Sequence, residues 1–216
     1  MFLTKLYAML KFERLSKRYG DYPVFSGLTH AFASGCVALS EQESSGKSTL
    51  LDILAGVLPL DEGDVWIEGH SMRRSPKKAK LRLAYVPRDC MMFPHLSGHG
   101  LLAMMANQKK TRVTEAAIQF AHDLGLEPHM DKLFEQMSTG TRRKVYLAAA
   151  ALGNPSVILA DGPTDGLDAR ARGVVAEQFR VWSRDRVVLF ASFDEQFIQA
   201  CGAREMTVAQ LAGRSR

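Results

Sequence analysis

Short, wholly apolar runs, bounded by turn residues and separated by helical texture, set the first reading of this chain. Val157-Ile158-Leu159-Ala160 and the stretch from Arg186 to Ala191 carry almost no polar alternation, and Cys36-Val37-Ala38-Leu39 is a third run of the kind. Such runs suit strands covered on both faces, the setting of a sheet flanked by helices. The amino end differs. Leu10-Lys11-Phe12-Glu13-Arg14-Leu15 alternates apolar and polar side chains, as a half-buried strand does, and Val24 to Phe32 and Val65-Trp66-Ile67-Glu68-Gly69 read as further strands. Ser16 to Pro23 reads as a turn, and Leu81 to Val86 as a strand ending at Pro87. From His95 to about Leu152 the chain is rich in Leu, Ala and Met, with helices expected near 97–107, 112–124 and 138–152. Asp168 to Ser183 reads as another helix, and a helix and a last short strand follow Ala191. The pattern predicts an α/β core in one domain over 1–216, interrupted by a helical insertion over about 88–152.

Composition narrows this little. At 216 residues with 46% hydrophobic content the chain can bury one sizeable core, and 24% charged residues with a net charge of +5 fit a globular protein. The positive excess gathers in Arg73-Arg74-Ser75-Pro76-Lys77-Lys78-Ala79-Lys80, in Lys109-Lys110 and in Arg142-Arg143-Lys144, which read as solvated loop and helix faces. Cys36, Cys90 and Cys201 are far apart in sequence and lack metal-ligand spacing, so they read as reduced, buried thiols. No run reaches the ~18 apolar residues of a membrane span.

One stretch carries chemistry. Ser40-Glu41-Gln42-Glu43-Ser44-Ser45-Gly46-Lys47-Ser48-Thr49 joins the run ending at Leu39 to the apolar helical pattern Leu50-Leu51-Asp52-Ile53-Leu54. Strand, tight loop and helix in that order make a phosphate-binding loop, whose backbone N–H groups point at a polyphosphate from the positive end of a helix dipole. Lys47 would reach the β- and γ-phosphates and the Ser48 hydroxyl would bind Mg²⁺. The pattern G-x-x-x-x-G-K-[ST] is only half met, because Glu41 stands at its first glycine; a chance G-K-S-T at a helix start is the competing explanation. Asp161, at the end of the run 157–160, offers a carboxylate that can order Mg²⁺ through water beside Ser48.

Upstream of Asp161, Met137-Ser138-Thr139-Gly140-Thr141-Arg142-Arg143-Lys144-Val145 opens a helix, and Gly162-Pro163-Thr164-Asp165-Gly166-Leu167-Asp168 follows it directly. The run from Met137 to Asp168 resembles the ABC-transporter nucleotide-binding domain, in which a signature motif, a Walker B strand and a G-L-D loop come in that order. The resemblance covers nearly the whole chain from Met9. Tyr19 stands at the position of the adenine-stacking aromatic, and Tyr85-Val86-Pro87 precedes the Q-loop position. The resemblance implies a P-loop NTPase (RecA-like) core with an N-terminal antiparallel β subdomain and a helical signature subdomain. It implies ATP and Mg as cofactors, held by Tyr19, Ser44, Ser45, Gly46, Lys47, Ser48, Thr49 and Asp161, with Ser138, Thr139 and Gly140 as the signature residues. In the family, two such domains close head to tail over two ATP molecules. Each ATP lies between the Walker A loop of one subunit and the signature helix of the other.

The sequence departs from the family on one half of this machinery. Glu41 and Ser44 occupy Walker A positions where the family has glycine. A side chain at positive φ there costs roughly 1–2 kcal/mol, and Glu41 and Glu43 are expected to bring carboxylates toward a triphosphate. Arg88 stands at the Q-loop glutamine, Gly162 at the glutamate after Walker B, and Phe193 at the switch histidine. No catalytic residue is then intact. A positioned acid or base contributes about 10²–10⁴-fold, so hydrolysis at the chain's own site is expected to be very slow. The signature and Asp168 look serviceable. The resemblance therefore implies an ATP-binding subunit of an ABC transporter, cytoplasmic and peripheral on the inner face of the membrane. It would dock on a separate integral membrane permease and pair with a second, intact ABC subunit as a heterodimer. The Met-rich segment Cys90 to Leu96 borders the groove that, in the family, receives a coupling helix of the permease. Nucleic acid is not an expected partner, although a soluble ABC protein acting on nucleic acid and a nucleotide-independent scaffold stay open as alternatives.

Overall fold

The structure is a computed structural model that describes residues 8–41 and 45–212; Gln42, Glu43 and Ser44 of the loop lie outside the described residues. The chain begins with β1 (Leu10–Tyr19), β2 (Tyr22–Phe32), β3 (Gly35–Leu39), α1 (Lys47–Leu54), β4 (Glu62–Ile67), β5 (His70–Ser71), α2 (Pro76–Leu81) and β6 (Leu83–Val86). Three helices follow, α3 (Gly98–Gln108), α4 (Glu115–Asp123) and α5 (Thr139–Ala149). The chain then returns through β7 (Val157–Asp161), α6 (Ala169–Trp182), β8 (Val187–Ala191), α7 (Glu195–Ala200) and β9 (Arg204–Met206).

The apolar runs form a parallel sheet ordered β6-β7-β8-β3-β9, and both of its faces are covered. Successive side chains of a strand point to opposite faces, and here each face meets a different core. Cys36, Ala38, Ile158, Ala160, Val188 and Phe190 pack with the helical insertion, α6 and α7. Val37, Leu39, Val157, Leu159, Val187 and Leu189 pack with α1 and the amino-terminal strands. Apolar character on both parities is what two-sided burial requires. The sheet's carboxyl ends share one edge: Leu39 and Asp161 both pair with Ala191, and Val86 pairs with Ala160. Segments that leave β3, β6, β7 and β8 therefore converge without any further device.

The amino-terminal strands form an antiparallel sheet, β2-β1-β4-β5. The turn expected over Ser16 to Pro23 is much tighter: β1 continues to Tyr19, which pairs with Tyr22, leaving Gly20-Asp21 as the hairpin tip with Gly20 at φ 57°. The strand hid from the pattern because its register shifts between Phe12 and Leu15 and again before Arg18, with Arg14 at φ 52°. A bulge of this kind breaks period-two alternation, so Leu15, Ser16 and Lys17 are buried in succession. The first part of the strand expected over Leu81 to Val86 is helical, since α2 runs to Leu81 and β6 begins at Leu83. Cys36 and Cys201, distant in sequence, are neighbours in space; the hydrogen bond to Cys36, with burial, pushes the Cys201 thiol well above its usual range.

The insertion docks on the core partly through Lys109, the C-cap of α3. Its Nζ donates to the Lys80 carbonyl at 2.7 Å and to the Leu83 carbonyl. Burial pushes this ammonium down from 10.5 to about 8. The native chain thus releases the proton at lower pH than the unfolded chain. The cost of the buried charge is present in full below about pH 8 and is relieved as pH rises toward 10.5. Stability against denaturant is expected to rise across that window relative to a Lys109→Met variant. A flat difference between the two proteins from pH 7 to 10 would contradict it.

Candidate functional site

The helix α1 begins where the loop after β3 ends. Gly46 is its N-cap at φ 86°, and a Cβ there would lie 2.7 Å from Val24 Cγ1, so both backbone and space demand glycine. Lys47 opens the helix and is only 7% exposed. Its Nζ donates to the Glu41 carbonyl and, at 3.1 Å, to Ser45 Oγ, and it lies 4.5 Å from the centre of the Phe193 ring. The first turn of α1 holds no acidic residue.

Glu41 departs from its expectation. It is not among the positive-φ residues, so the backbone strain argued for its Walker A position does not arise there. Its carboxylate does not face the loop interior as an unpaired charge either: Oε1 accepts from the Val208 N–H at 2.5 Å. A glutamate spans that distance where glycine could not, and it ties the loop to the segment after β9. Ser44 and Glu43, the other two residues of that argument, lie outside the described residues.

A cavity of about 420 Å³ opens beside this helix start and is lined by Tyr19, Tyr22, Ser45 to Thr49, Arg88 and Phe193. The sequence-predicted residues on four separate stretches thus meet in one place. Tyr22, 68% exposed opposite Tyr19, was hidden inside the expected turn and adds a second aromatic face. Asp161 is 1% exposed, and the neighbouring Ser48 side chain draws its carboxyl down. Its Oδ1 has no hydrogen-bond partner among the described residues, and Arg88 Nη1 lies 4.0 Å from that atom. Burial raises the Asp161 carboxyl above its usual range; Ser48 and Arg88 draw it down, while Asp52 and Asp165 add to the rise. A hydroxyl next to a carboxylate with an orphaned buried oxygen is a donor pair that fits Mg²⁺. The guanidinium of Arg88 crowds the same oxygen.

Arg143 stands in the sequence as one of three basic residues in a row. It is 1% exposed and donates to the carbonyls of Asp161 at 2.9 Å, Arg88 at 2.8 Å and Asp165 at 3.1 Å. One buried cation, paired entirely with carbonyls, therefore holds together the segments after β6 and β7. Gly162 follows Asp161 at φ 60°, and a Cβ there would lie 2.3 Å from Asp165 Oδ2. Phe193, two residues past β8, is 48% exposed over Lys47.

Ser138, Thr139 and Gly140 lie apart from this cavity, at the start of α5. Ser138 is the N-cap, its Oγ accepting from the Thr141 N–H at 3.1 Å, and Ser138 and Thr139 are exposed. Gly140 is buried against the loop before α6, where a Cβ would lie 2.1 Å from the Gly166 carbonyl oxygen. Asp168 caps α6 by accepting from the Ala171 N–H at 2.8 Å, and it pairs with Lys144 at 3.1 Å. The Ala171 bond first, then Lys144, holds its carboxyl below the usual range. The chain therefore presents two surfaces, a loop cavity and a separate helix start with small, exposed residues.

Comparison with known proteins gives this geometry its class. The family model for ABC transporters matches residues 33–165, from the turn before β3 to the loop after β7. The chain belongs to the ABC transporter family. Among curated proteins it is 27% identical over 173 residues to the linearmycin resistance ATP-binding protein of Bacillus subtilis, covering 78% of this chain and 56% of that one. It is 28% identical over 205 residues to the molybdate/tungstate import ATP-binding protein of Archaeoglobus fulgidus, covering 93% and 83%. The chain thus spans little more than half the length of the first relative and most of the second. A dimeric bacterial ABC transporter cassette of known structure superposes with a TM-score of 0.81 at 20% identity, covering 93% of this chain and 95% of that one. The fold is that of an ABC cassette, a P-loop NTPase core with an antiparallel β sheet. Among the described residues no helix is long and apolar enough to cross a membrane.

Proposed function

We propose that this chain is the ATP-binding subunit of an ABC transporter whose own nucleotide site holds ATP and barely hydrolyses it. The observation that carries this is the cavity itself. Tyr19 and Tyr22 line it together with the start of α1, Lys47 and Ser48. Aromatic stacking for a base and a helix N-terminus for phosphates are the two halves of a nucleotide site. Ser45, Gly46 and Thr49 would complete the cradle with Ser44, and Ser48 with Asp161 would hold Mg²⁺, which when bound supplies charge to the phosphates. Gly162, Phe193 and Arg88 put no acid, base or amide where water would be activated. The whole of 1–216 acts as one nucleotide-binding domain in this reading.

Partners follow from the relatives, which are named as ATP-binding proteins of resistance and import systems. The chain would sit on the cytoplasmic face of the membrane and dock on a separate permease. A second cavity of about 320 Å³, between α1, β6 and the helical insertion, supports this: Met92, Phe93 and Met105 line it, and 60% of Met92 is exposed. Methionine-rich apolar surface adapts to a docking helix. The Tyr146 hydroxyl at that cavity is buried with no hydrogen-bond partner among the described residues, a donor left for an incoming group. In a head-to-tail dimer, Ser138, Thr139 and Gly140 would complete a partner subunit's site, and an intact partner is favoured over a second copy.

Two measurements test the nucleotide reading. Isothermal calorimetry should give Mg-ATP a Kd of roughly 0.1–1 mM, about −5 kcal/mol, because Lys47 must exchange its present contacts for phosphate. Lys47→Ala should abolish that heat. The purified chain should also hydrolyse ATP no faster than the Lys47→Ala control. Robust turnover lost in that control would sink the slow-site reading, and no binding at all would sink the nucleotide site.

A further inference from the structure

The Arg88 side chain is the one cavity group whose charge the family resemblance does not anticipate, and its surroundings are built. Its backbone carbonyl accepts from Arg143 Nη2 at 2.8 Å, and the same buried guanidinium donates to the Asp161 and Asp165 carbonyls. The root of Arg88 is thus tied to the carboxyl end of β7. The side chain itself is 60% exposed, lines the cavity beside Lys47 and Ser48, and places Nη1 4.0 Å from Asp161 Oδ1. That oxygen has no hydrogen-bond partner among the described residues. A permanently charged group therefore faces the very atom that would order a metal ion's water. At 4.0 Å the pair is not a hydrogen bond, so leaving it breaks none.

Two cationic side chains stand at the cavity wall. Lys47 and Arg88 both border the cavity, whereas the Glu41 carboxylate is taken by the Val208 N–H. A divalent cation at such a site neutralises adjacent phosphate oxygens, at the cost of losing part of its water shell. A guanidinium does the same with a planar fork of donors, is charged at every working pH, and is weakly hydrated.

We propose that Arg88 takes over the divalent cation's share of phosphate neutralisation, so that this site binds nucleoside triphosphate with little dependence on Mg²⁺. The inference rests on the nucleotide reading above. On arrival of the triphosphate, Arg88 swings from Asp161 to the terminal phosphate oxygens. A guanidinium has no acceptor and binds no water as a metal does, so the arrangement suits holding the nucleotide intact.

The test is calorimetry of the purified chain with ATP, in excess Mg²⁺ and in excess EDTA. The two Kd values should agree within about threefold. Arg88→Gln keeps the backbone carbonyl that Arg143 uses, and it should weaken binding in EDTA by about tenfold or more while Mg²⁺ restores it. Arg88→Lys, which keeps the charge, should retain most of the metal-free binding. A wild-type chain that loses tenfold or more on chelation overturns the inference alone, as does an Arg88→Gln variant with an unchanged ratio. Absence of binding in both buffers overturns the nucleotide reading and this inference together.

Discussion

A glutamate reinstalled at Gly162 is expected to lower the melting temperature by about 5–10 °C and to restore no ATPase activity. Gly162 sits at φ 60°, where a side chain costs roughly 1–2 kcal/mol. Its Cβ would also fall 2.3 Å from Asp165 Oδ2, so the end of that side chain must turn aside, a smaller cost than the backbone one. The new carboxylate would join Asp165 and the buried Asp161, whose carboxyl is already raised by burial and by Asp165. Together these terms reach about 2–4 kcal/mol, and each kcal/mol moves a chain of this size by roughly 2–4 °C. Two alanine variants separate the causes. Gly162→Ala keeps the φ cost and the contact, whereas Gly162→Ala with Asp165→Ala removes the contact and should recover part of the loss. An unchanged melting temperature for Gly162→Glu would show that the segment relaxes freely. Hydrolysis above the Lys47→Ala control would show that the glutamate's absence was the sole defect. In either case the loop after β7 would not be committed to its glycine, as the geometry says it is.

What the sequence made legible follows from which interactions are local. β7 and β8 could be read because burial on both faces leaves no polar position, and Gly46-Lys47-Ser48-Thr49 because a helix start next to a strand is a contiguous motif. β1 could not be read to its end, since a bulge at Arg14 shifts its alternation. Tyr22 disappeared with it, although its pairing with Tyr19 places both rings on one cavity. The sign of the Glu41 effect was illegible for another reason: its carboxylate is satisfied by Val208, 167 residues away. Arg143 reads as solvated in a basic run, yet three carbonyls from two other segments make it a buried joint. Charge in a sequence says nothing of where such acceptors will converge.

The proposed asymmetric dimer makes a prediction in which two sites of one chain part company. In a transporter assembled with an intact second cassette, Thr139→Asp in this chain should reduce ATPase activity by about 10²-fold or more, while Lys47→Ala should leave most of it. The loop cavity, Gly162 and Phe193 would serve one ATP, which this chain holds and does not turn over. The start of α5 would serve the other, held by the partner's intact loop, with the helix dipole and small residues facing its terminal phosphate. Thr139 is the first residue of α5 and is exposed, so an aspartate there is compatible with the helix N-terminus and should not unfold the chain. It would set a carboxylate against the phosphate instead. Gly140 is a poorer probe, because any side chain would meet the Gly166 carbonyl oxygen at 2.1 Å and disturb the chain before a partner arrived. Thr139→Ser is the control that keeps both size and neutrality, and its activity should stay near that of the unmodified transporter. Equal damage from Lys47→Ala and Thr139→Asp would mean that both sites are needed for turnover, and assembly of this chain only with itself would remove the intact partner on which the asymmetry depends. Either result would sink the heterodimer.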